Sequence, residues 1–477
     1  MILNSTLRIG LFGVGLDTYW SQFPGLKDRL TGHLELVEEK LHLLDTAVIN
    51  LGLIDNADKA FKAGDKFRSE NIDILFLYVS TYALSATVLP VVKKANVPVI
   101  VLNLSPGASI DYKIFNAMED RTKMTGEWLA HCSSCSVPEI ANVFKRCKIP
   151  FFQITGMLQD DDHVDVQIRE WLEAASTAKV MYYNRLGIMG NYYGGMMDIY
   201  TDITLLTATF GGYIEVLEID ELSTLRKSVS TEERQLKIAE INTVFEVQAD
   251  CDNEELNRAA ITAVALDKLI AKYELGSLAY YYKGTGNSDN ESTASSVILG
   301  NSILTGKNVP VAGEFELKNI HAMKILDSFN SGGSFTEYYA MDFKDDVVLM
   351  GHDGPCHPAI AEGKIKVKPL HVYHGKVGNG LSVEMSVAQG PVTLLSVVEN
   401  ASGGMFLLVA EGESVTGEIL EIGNTNSRYR FPIGARNFVE SWNSYGPAHH
   451  CAVGKGKLAS RLKKLGSILN IEVVQIL

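Results

Sequence analysis

Cysteine is scarce in this sequence, basic residues are outnumbered, and long apolar runs are missing. Six cysteines in 477 residues, with Cys132 and Cys135 forming the single Cys-x-x-Cys, exclude a disulfide framework and read as a reduced, cytoplasmic protein. Lys and Arg number 43 against 57 Asp and Glu, a formal charge of −14. Nucleic acid and anionic membranes are thereby excluded as main partners, because both require a basic footprint. No segment offers the roughly 20 apolar residues that a membrane-spanning helix needs. The first residues, Met1–Arg8, run into a strand-like segment without a charged-then-apolar leader, so no signal peptide is expected. Proline (13) and glycine (41) stay at globular levels, which excludes collagenous, low-complexity and disordered chains.

What is present is rhythm. Leu7–Gly13, Thr46–Ile54, Ile72–Val79, Val97–Leu104 and Ile149–Gly156 read as strands, apolar on both faces as in a parallel sheet covered by helices. Ala57–Ser69 and Tyr82–Ala95 have helical spacing between them, giving a βαβ alternation and a doubly wound sheet over residues 1–175. A second α/β domain is expected over 176–329, with strands Val180–Met189, Tyr213–Asp220 and Gly276–Gly284. Its helix Asp252–Leu275 carries Ala263, Leu266, Ile270 and Tyr273 on one face and stops at Gly276. The polar stretch Gly284–Ser296 reads as a loop able to reach into a site. From 330 to 477 the spacing shortens. Ser334–Phe343, Val347–Gly351, Lys368–His374, Leu381–Ala388, Pro391–Glu399, Met405–Glu411 and Ser414–Glu421 predict a mostly antiparallel, barrel-like β domain. A short basic helix, Leu458–Leu465, and a last strand, Ile471–Leu477, close the chain.

Three motifs invite chemistry and have simpler explanations. Gly10, Gly13 and Gly15 follow the first strand, but Thr18 stands where a dinucleotide loop needs its third glycine. A tight strand-to-helix turn explains them. Cys132 and Cys135 lack the second pair a structural zinc site requires and read as small residues at a loop or helix start. The acidic run Asp160–Asp162, with His163 and Asp165, precedes a helical pattern and suits capping and dipole compensation.

The histidines carry more. Of eleven, His321, His352, His357, His371, His374, His449 and His450 lie after residue 320, in a region that also holds Glu314 and Glu337. Glu337 sits within a predicted strand and His352 just after one, where an imidazole or carboxylate is costly unless paired or metal-bound. Their separations form no local metal motif.

The order of four segments resembles the L-arabinose isomerase family, and more loosely the wider arabinose/fucose isomerase group. The family's Gly-Glu-Gly-Asp-Trp-Lys corresponds to Gly313-Glu314-Phe315-Glu316-Leu317-Lys318. Its Gly-Gly-Thr-Ser-Phe-Met-Glu-Asp-Tyr corresponds to Gly332-Gly333-Ser334-Phe335-Thr336-Glu337-Tyr338-Tyr339. Gly-Ser-His before Cys-Pro is matched by Gly351-His352 and Cys356-His357-Pro358, and Gly-Gly-Ala-His-His by Gly446-Pro447-Ala448-His449-His450. The resemblance implies a divalent metal, Mn²⁺ first and Co²⁺, Fe²⁺ or Zn²⁺ as substitutes, held by Glu314, Glu337, His352 and His450. It implies an aldose–ketose interconversion in which Glu314 and Glu337 move a proton between C1 and C2 through an enediol, with base and acid unassigned. It further implies sugar contacts at Leu16, Tyr19, Phe335, Tyr339 and His449, and a homo-oligomer, trimer or hexamer, with sites at subunit junctions. Two segments depart from the family. Its Ser-Gln-His-Leu-Tyr-Gly loop reads Gly15-Leu16-Asp17-Thr18-Tyr19-Trp20 here, and its Thr-Ala-His-Gly-Gly-Arg-Glu corresponds approximately to Cys132–Glu139. The alternatives are an isomerase or epimerase of another sugar, of the fucose type or a modified hexose, and a non-catalytic sugar-binding protein.

Overall fold

The computed structural model describes residues 6–42, 46–370 and 379–477. His371 and His374, with the end of the strand expected at Lys368–His374, lie outside the described residues. The chain divides into two compact units, one over Asn4–Lys179 and one over Val180–Leu477. Among the described residues no helix is long and apolar enough to cross a membrane.

The first unit is a five-stranded parallel sheet. Strands β1 (Leu7–Val14), β2 (Thr46–Ile54), β3 (Ile74–Val79), β4 (Val99–Ser105) and β5 (Phe151–Met157) lie in the order β2-β1-β3-β4-β5. Every residue of β3 is buried, as a strand covered on both faces requires. The helix Ala57–Ser69 starts where the Asn56 side chain accepts from the Lys59 amide. It buries Ala60, Ala63, Gly64 and Phe67, one stripe at helical spacing. The glycines behave differently from expectation. Gly10 and Gly13 lie inside β1, where a Cβ would meet the side chains of Ile72 at 2.6 Å and Leu53 at 2.7 Å. They serve close packing of side chains on the sheet, not a turn. The acidic run caps as expected: Asp161 accepts from the amides of Met157, His163 and Val164 at the head of the helix Asp162–Tyr183.

The second unit opens with parallel strands β6 (Arg185–Gly190), β7 (Tyr213–Leu217), β9 (Ser277–Tyr281) and β10 (Val311–Ala312), in the order β10-β9-β6-β7. Strand β8 (Phe245–Val247) pairs elsewhere, with β13 (Ile365–Leu370), which also pairs β14 (Gly380–Glu384). Val180–Tyr183, expected as strand, completes the preceding helix. The helix Asn253–Tyr273 is capped by Asp252, and Glu274 rather than Gly276 takes the left-handed position at its end, with φ of 52°. The stretch expected as a loop contains the helix Ser288–Ala294, capped by Asn287.

Six strands then close into an antiparallel barrel: β15 (Gly390–Glu399), β18 (His450–Lys455), β11 (Gly332–Asp342), β12 (Val347–His352), β17 (Thr425–Arg430) and β16 (Met405–Val415). Strand β16 pairs back onto β15, and β19 (Glu472–Ile476) runs parallel to β16 at its edge. The segments Met405–Glu411 and Ser414–Glu421, expected as two strands, contribute one continuous strand ending at Val415. The helix Leu317–Ser328, buried over Leu317–Asp327, packs against β11, β15 and β18. Gly351 is a point of close approach between β12 and β17: a Cβ there would sit 1.9 Å from the Thr425 carbonyl oxygen and 2.7 Å from Asn426 Cα. Gly351→Ala must therefore push the paired backbones of these strands apart. We expect a loss of about 1–3 kcal/mol, the usual cost of overpacking, read as a lower thermal midpoint; an unchanged midpoint would contradict this close approach.

Candidate active site

Strand register assembles the centre of the site. Glu337 on β11 stands opposite His450 on β18 and, on its other side, opposite Gly351 on β12. His352, the last residue of β12, is one step along. Cross-strand partners share a face, which brings Glu337 and His450 together. By register His352 would alternate to the other face, yet at the end of β12 its ring lies 5.2 Å from that of His450, centroid to centroid. Beneath them lies Phe335, two residues before Glu337 and on the same face. Its buried ring packs 4.5 Å from His352 and 4.4 Å from His450, centroid to centroid.

Glu314 arrives by another route. It follows β10, and both it and Phe315 take left-handed backbone conformations, with φ of 56° and 61°. Such conformations cost about 1–3 kcal/mol each for non-glycine residues and persist only where their surroundings enforce them. Here the Phe315 amide donates to the Tyr280 carbonyl at 3.0 Å, and its buried ring lies 4.9 Å from that of Tyr192. The next residue, Glu316, caps the helix Leu317–Ser328 by accepting from the amides of Lys318 and Asn319.

The distances describe a compact cluster around His450. Its Nε2 lies 3.4 Å from Glu314 Oε2 and 4.0 Å from Glu337 Oε2. Its Nδ1 lies 3.6 Å from Glu316 Oε2. Two donor sets, Glu337 with His352 and His450, and Glu314 with His449 and His450, each keep their ligand atoms within 4.8 Å of one another. Atoms bound to one ion at about 2.0–2.2 Å lie up to about 4.4 Å apart, so these sets fit a divalent metal with small adjustments. Carboxylates with imidazoles suit Mn²⁺ and its neighbours in the first row.

Burial sets the proton affinities. It pushes the Glu337 carboxyl up to about 7, with Glu314 and Asp353 adding to the effect and His449 opposing it. It pushes Glu316 up to about 7 as well, against the pull of Lys318 and the two amides that the carboxylate accepts from. Like charges and low dielectric both favour the neutral acid.

The other expected residues divide. Tyr339 lies at an irregularity in the β11–β12 pairing, and its hydroxyl accepts from Asn424 Nδ2 at 3.0 Å. His449 is partly exposed beside the cluster, its Nε2 3.8 Å from Glu337 Oε2. Leu16 and Tyr19 belong to the first unit, just beyond β1, where Tyr19 packs 5.8 Å from Phe23. Cys132 and Cys135 end one helix and precede the next, both as free thiols. Sequence reading passes over Glu316 and Asp198. Glu316 has a signal, a carboxylate two residues after Glu314 at a helix start. Asp198, which His449 contacts from 251 residues away, has none.

The fold and the cluster define an α/β protein with a C-terminal β-barrel bearing a carboxylate–imidazole site. Residues 332–472 match the protein family described as L-arabinose isomerase C-terminal domain. The match covers less than a third of the chain and shows that its C-terminal domain is similar to that of L-arabinose isomerases. No curated protein matches the chain.

Proposed function

We propose that this protein is a metal-dependent isomerase that interconverts an aldose and a ketose of pentose or hexose size. The observation that carries this reading is the convergence of Glu337, His352 and His450 with Glu314, three of the four lying within the matched domain. Glu314, Glu337, His352 and His450 would hold the divalent ion, Mn²⁺ by preference. When bound, it would supply Lewis-acid polarisation of the sugar carbonyl.

The chain's own residues do the rest. Moving hydrogen between C1 and C2 requires a group that takes a proton from one carbon and a group that returns it to the other. Glu314 and Glu337 approach the same imidazole from two different elements. These two carboxylates would take and return the proton, with base and acid unassigned. Phe335 fixes both imidazoles by packing and keeps water from beneath them. The reading includes a homo-oligomer, trimer or hexamer, as in the family that the chain resembles.

The sugar itself is expected to differ from the family's. In the segment Gly15–Trp20 an amide-bearing position of the family is replaced by Leu16, which removes a donor and an acceptor. A buried sugar hydroxyl left without its partner costs about 1–3 kcal/mol, roughly ten- to a hundredfold in kcat/KM. With Mn²⁺ present, L-arabinose should therefore not rank first in kcat/KM among L-arabinose, D-galactose, L-fucose, D-arabinose and D-xylose. L-arabinose in first place would overturn the altered specificity and leave the isomerase reading standing.

A further inference from the structure

His449 is gripped at two points by one carboxylate oxygen. Asp198 Oδ2 accepts from the His449 backbone amide at 2.9 Å and contacts ring Nδ1 at 2.6 Å. The opposite ring nitrogen, Nε2, lies 3.8 Å from Glu337 Oε2. The oxygen that accepts from the His449 backbone N–H faces Nδ1 as an acceptor too, so the proton between the two belongs to Nδ1.

Asp198 is itself secured. It lies on the one-turn helix Met197–Ile199, and its backbone carbonyl accepts from the Nζ of Lys318, a buried lysine on the helix that Glu316 caps. Two residues beyond that turn, Thr201 donates to Glu399 at 2.9 Å, and the rings of Tyr192 and Tyr200 pack 5.0 Å apart. A carboxylate anchored at both ends of its segment is a fixed support. An imidazole without such a partner can take either tautomer.

We propose that Asp198 is a positioning residue that holds His449 as the Nδ1–H tautomer, so that Nε2 presents a lone pair beside Glu337 for a sugar hydroxyl to donate to. Only the identity of that donor rests on the isomerase reading; the tautomer does not. The hydroxyl gains acidity as its carbon approaches the enediol, so the hydrogen bond to Nε2 strengthens in the transition state more than in the bound sugar. Such an interaction appears in kcat rather than KM.

The test has a spectroscopic arm and a kinetic arm. In the metal-free protein carrying ¹⁵N-histidine, the His449 ring signals are identified by their loss in His449→Gln. We expect a protonated Nδ1 and an unprotonated Nε2. Asp198→Ala should abolish that fixed tautomer, whereas Asp198→Asn, whose amide oxygen can accept from both N–H groups, should keep it. With metal supplied, Asp198→Ala should lower kcat by about 10²-fold, the scale of one proton-handling interaction, with KM changed less than about twofold; Asp198→Asn should recover most of the loss. A wild-type His449 protonated at Nε2, or an Asp198→Ala variant with the tautomer and kcat of wild type, would overturn the proposal. If Asp198→Ala does not fold, the wild-type ring signals and the Asp198→Asn variant decide the matter. If the wild-type protein converts no sugar, the isomerase reading fails while the ring signals still decide the role of Asp198.

Discussion

Glu337→Gln is expected to lower kcat for sugar interconversion by about 10²–10⁴-fold, the range lost with one proton-transfer group, while the protein stays folded. The substitution is nearly isosteric, and Glu337 sits on a strand whose backbone pairing with β12 and β18 does not involve its side chain. What changes is chemical. A carboxylate becomes an amide that cannot exchange a proton with carbon, and a negatively charged metal ligand becomes a neutral one. The cost should therefore fall on kcat and on metal affinity together. Retention of more than about a tenth of wild-type kcat would remove Glu337 from proton transfer, because a residual rate that high is outside the range such a group supplies.

His450→Ala is expected to weaken Mn²⁺ binding far more than His449→Ala, by at least about tenfold, the lower end of what even an outer partner of a metal site contributes. The two histidines are adjacent in sequence and opposite in circumstance. His450 is almost fully buried, with Glu314, Glu316 and Glu337 all within 4.0 Å of its ring nitrogens. Its removal takes away an imidazole shared by both candidate donor sets and leaves three carboxyl groups around a cavity. His449 is partly exposed and committed to Asp198 through Nδ1. Calorimetric titration of each variant with Mn²⁺ distinguishes them, and equal affinities would mean that His450 is not a ligand.

Much of this molecule can be read from its sequence, for identifiable reasons. The parallel strands stand out because burial on both faces demands continuous apolar runs such as Ile74–Val79. The helix Ala57–Ser69 stands out because its cap and its buried stripe are both local. The barrel is harder. Thr425–Arg430 is a strand with buried polar residues, and the Asn426 amide is satisfied by the Leu420 carbonyl, so no apolar alternation announces it. His450–Lys455 is short and rich in small residues, and only pairing with β11 and β15 makes it a strand.

The candidate site divides along the same line. Glu314, Glu337, His352 and His450 are visible because they stand in short segments similar to a known family's. Asp198 acts through contacts with His449, 251 residues away, which neither composition nor periodicity records, and Glu316 is signalled only by its place at a helix start. The left-handed pair Glu314–Phe315 is equally invisible, because neither residue type prefers that conformation.

The most direct measurement of the central claim is ketose formation from a panel of aldoses by protein stripped of metal and then reloaded with Mn²⁺. The proposed function predicts that stripped protein is inactive, that reloading restores turnover on at least one pentose or hexose, and that one divalent ion per chain accompanies the recovery. Sugar binding without conversion across the panel, with no stoichiometric metal taken up, would contradict it and leave a sugar-binding protein in its place.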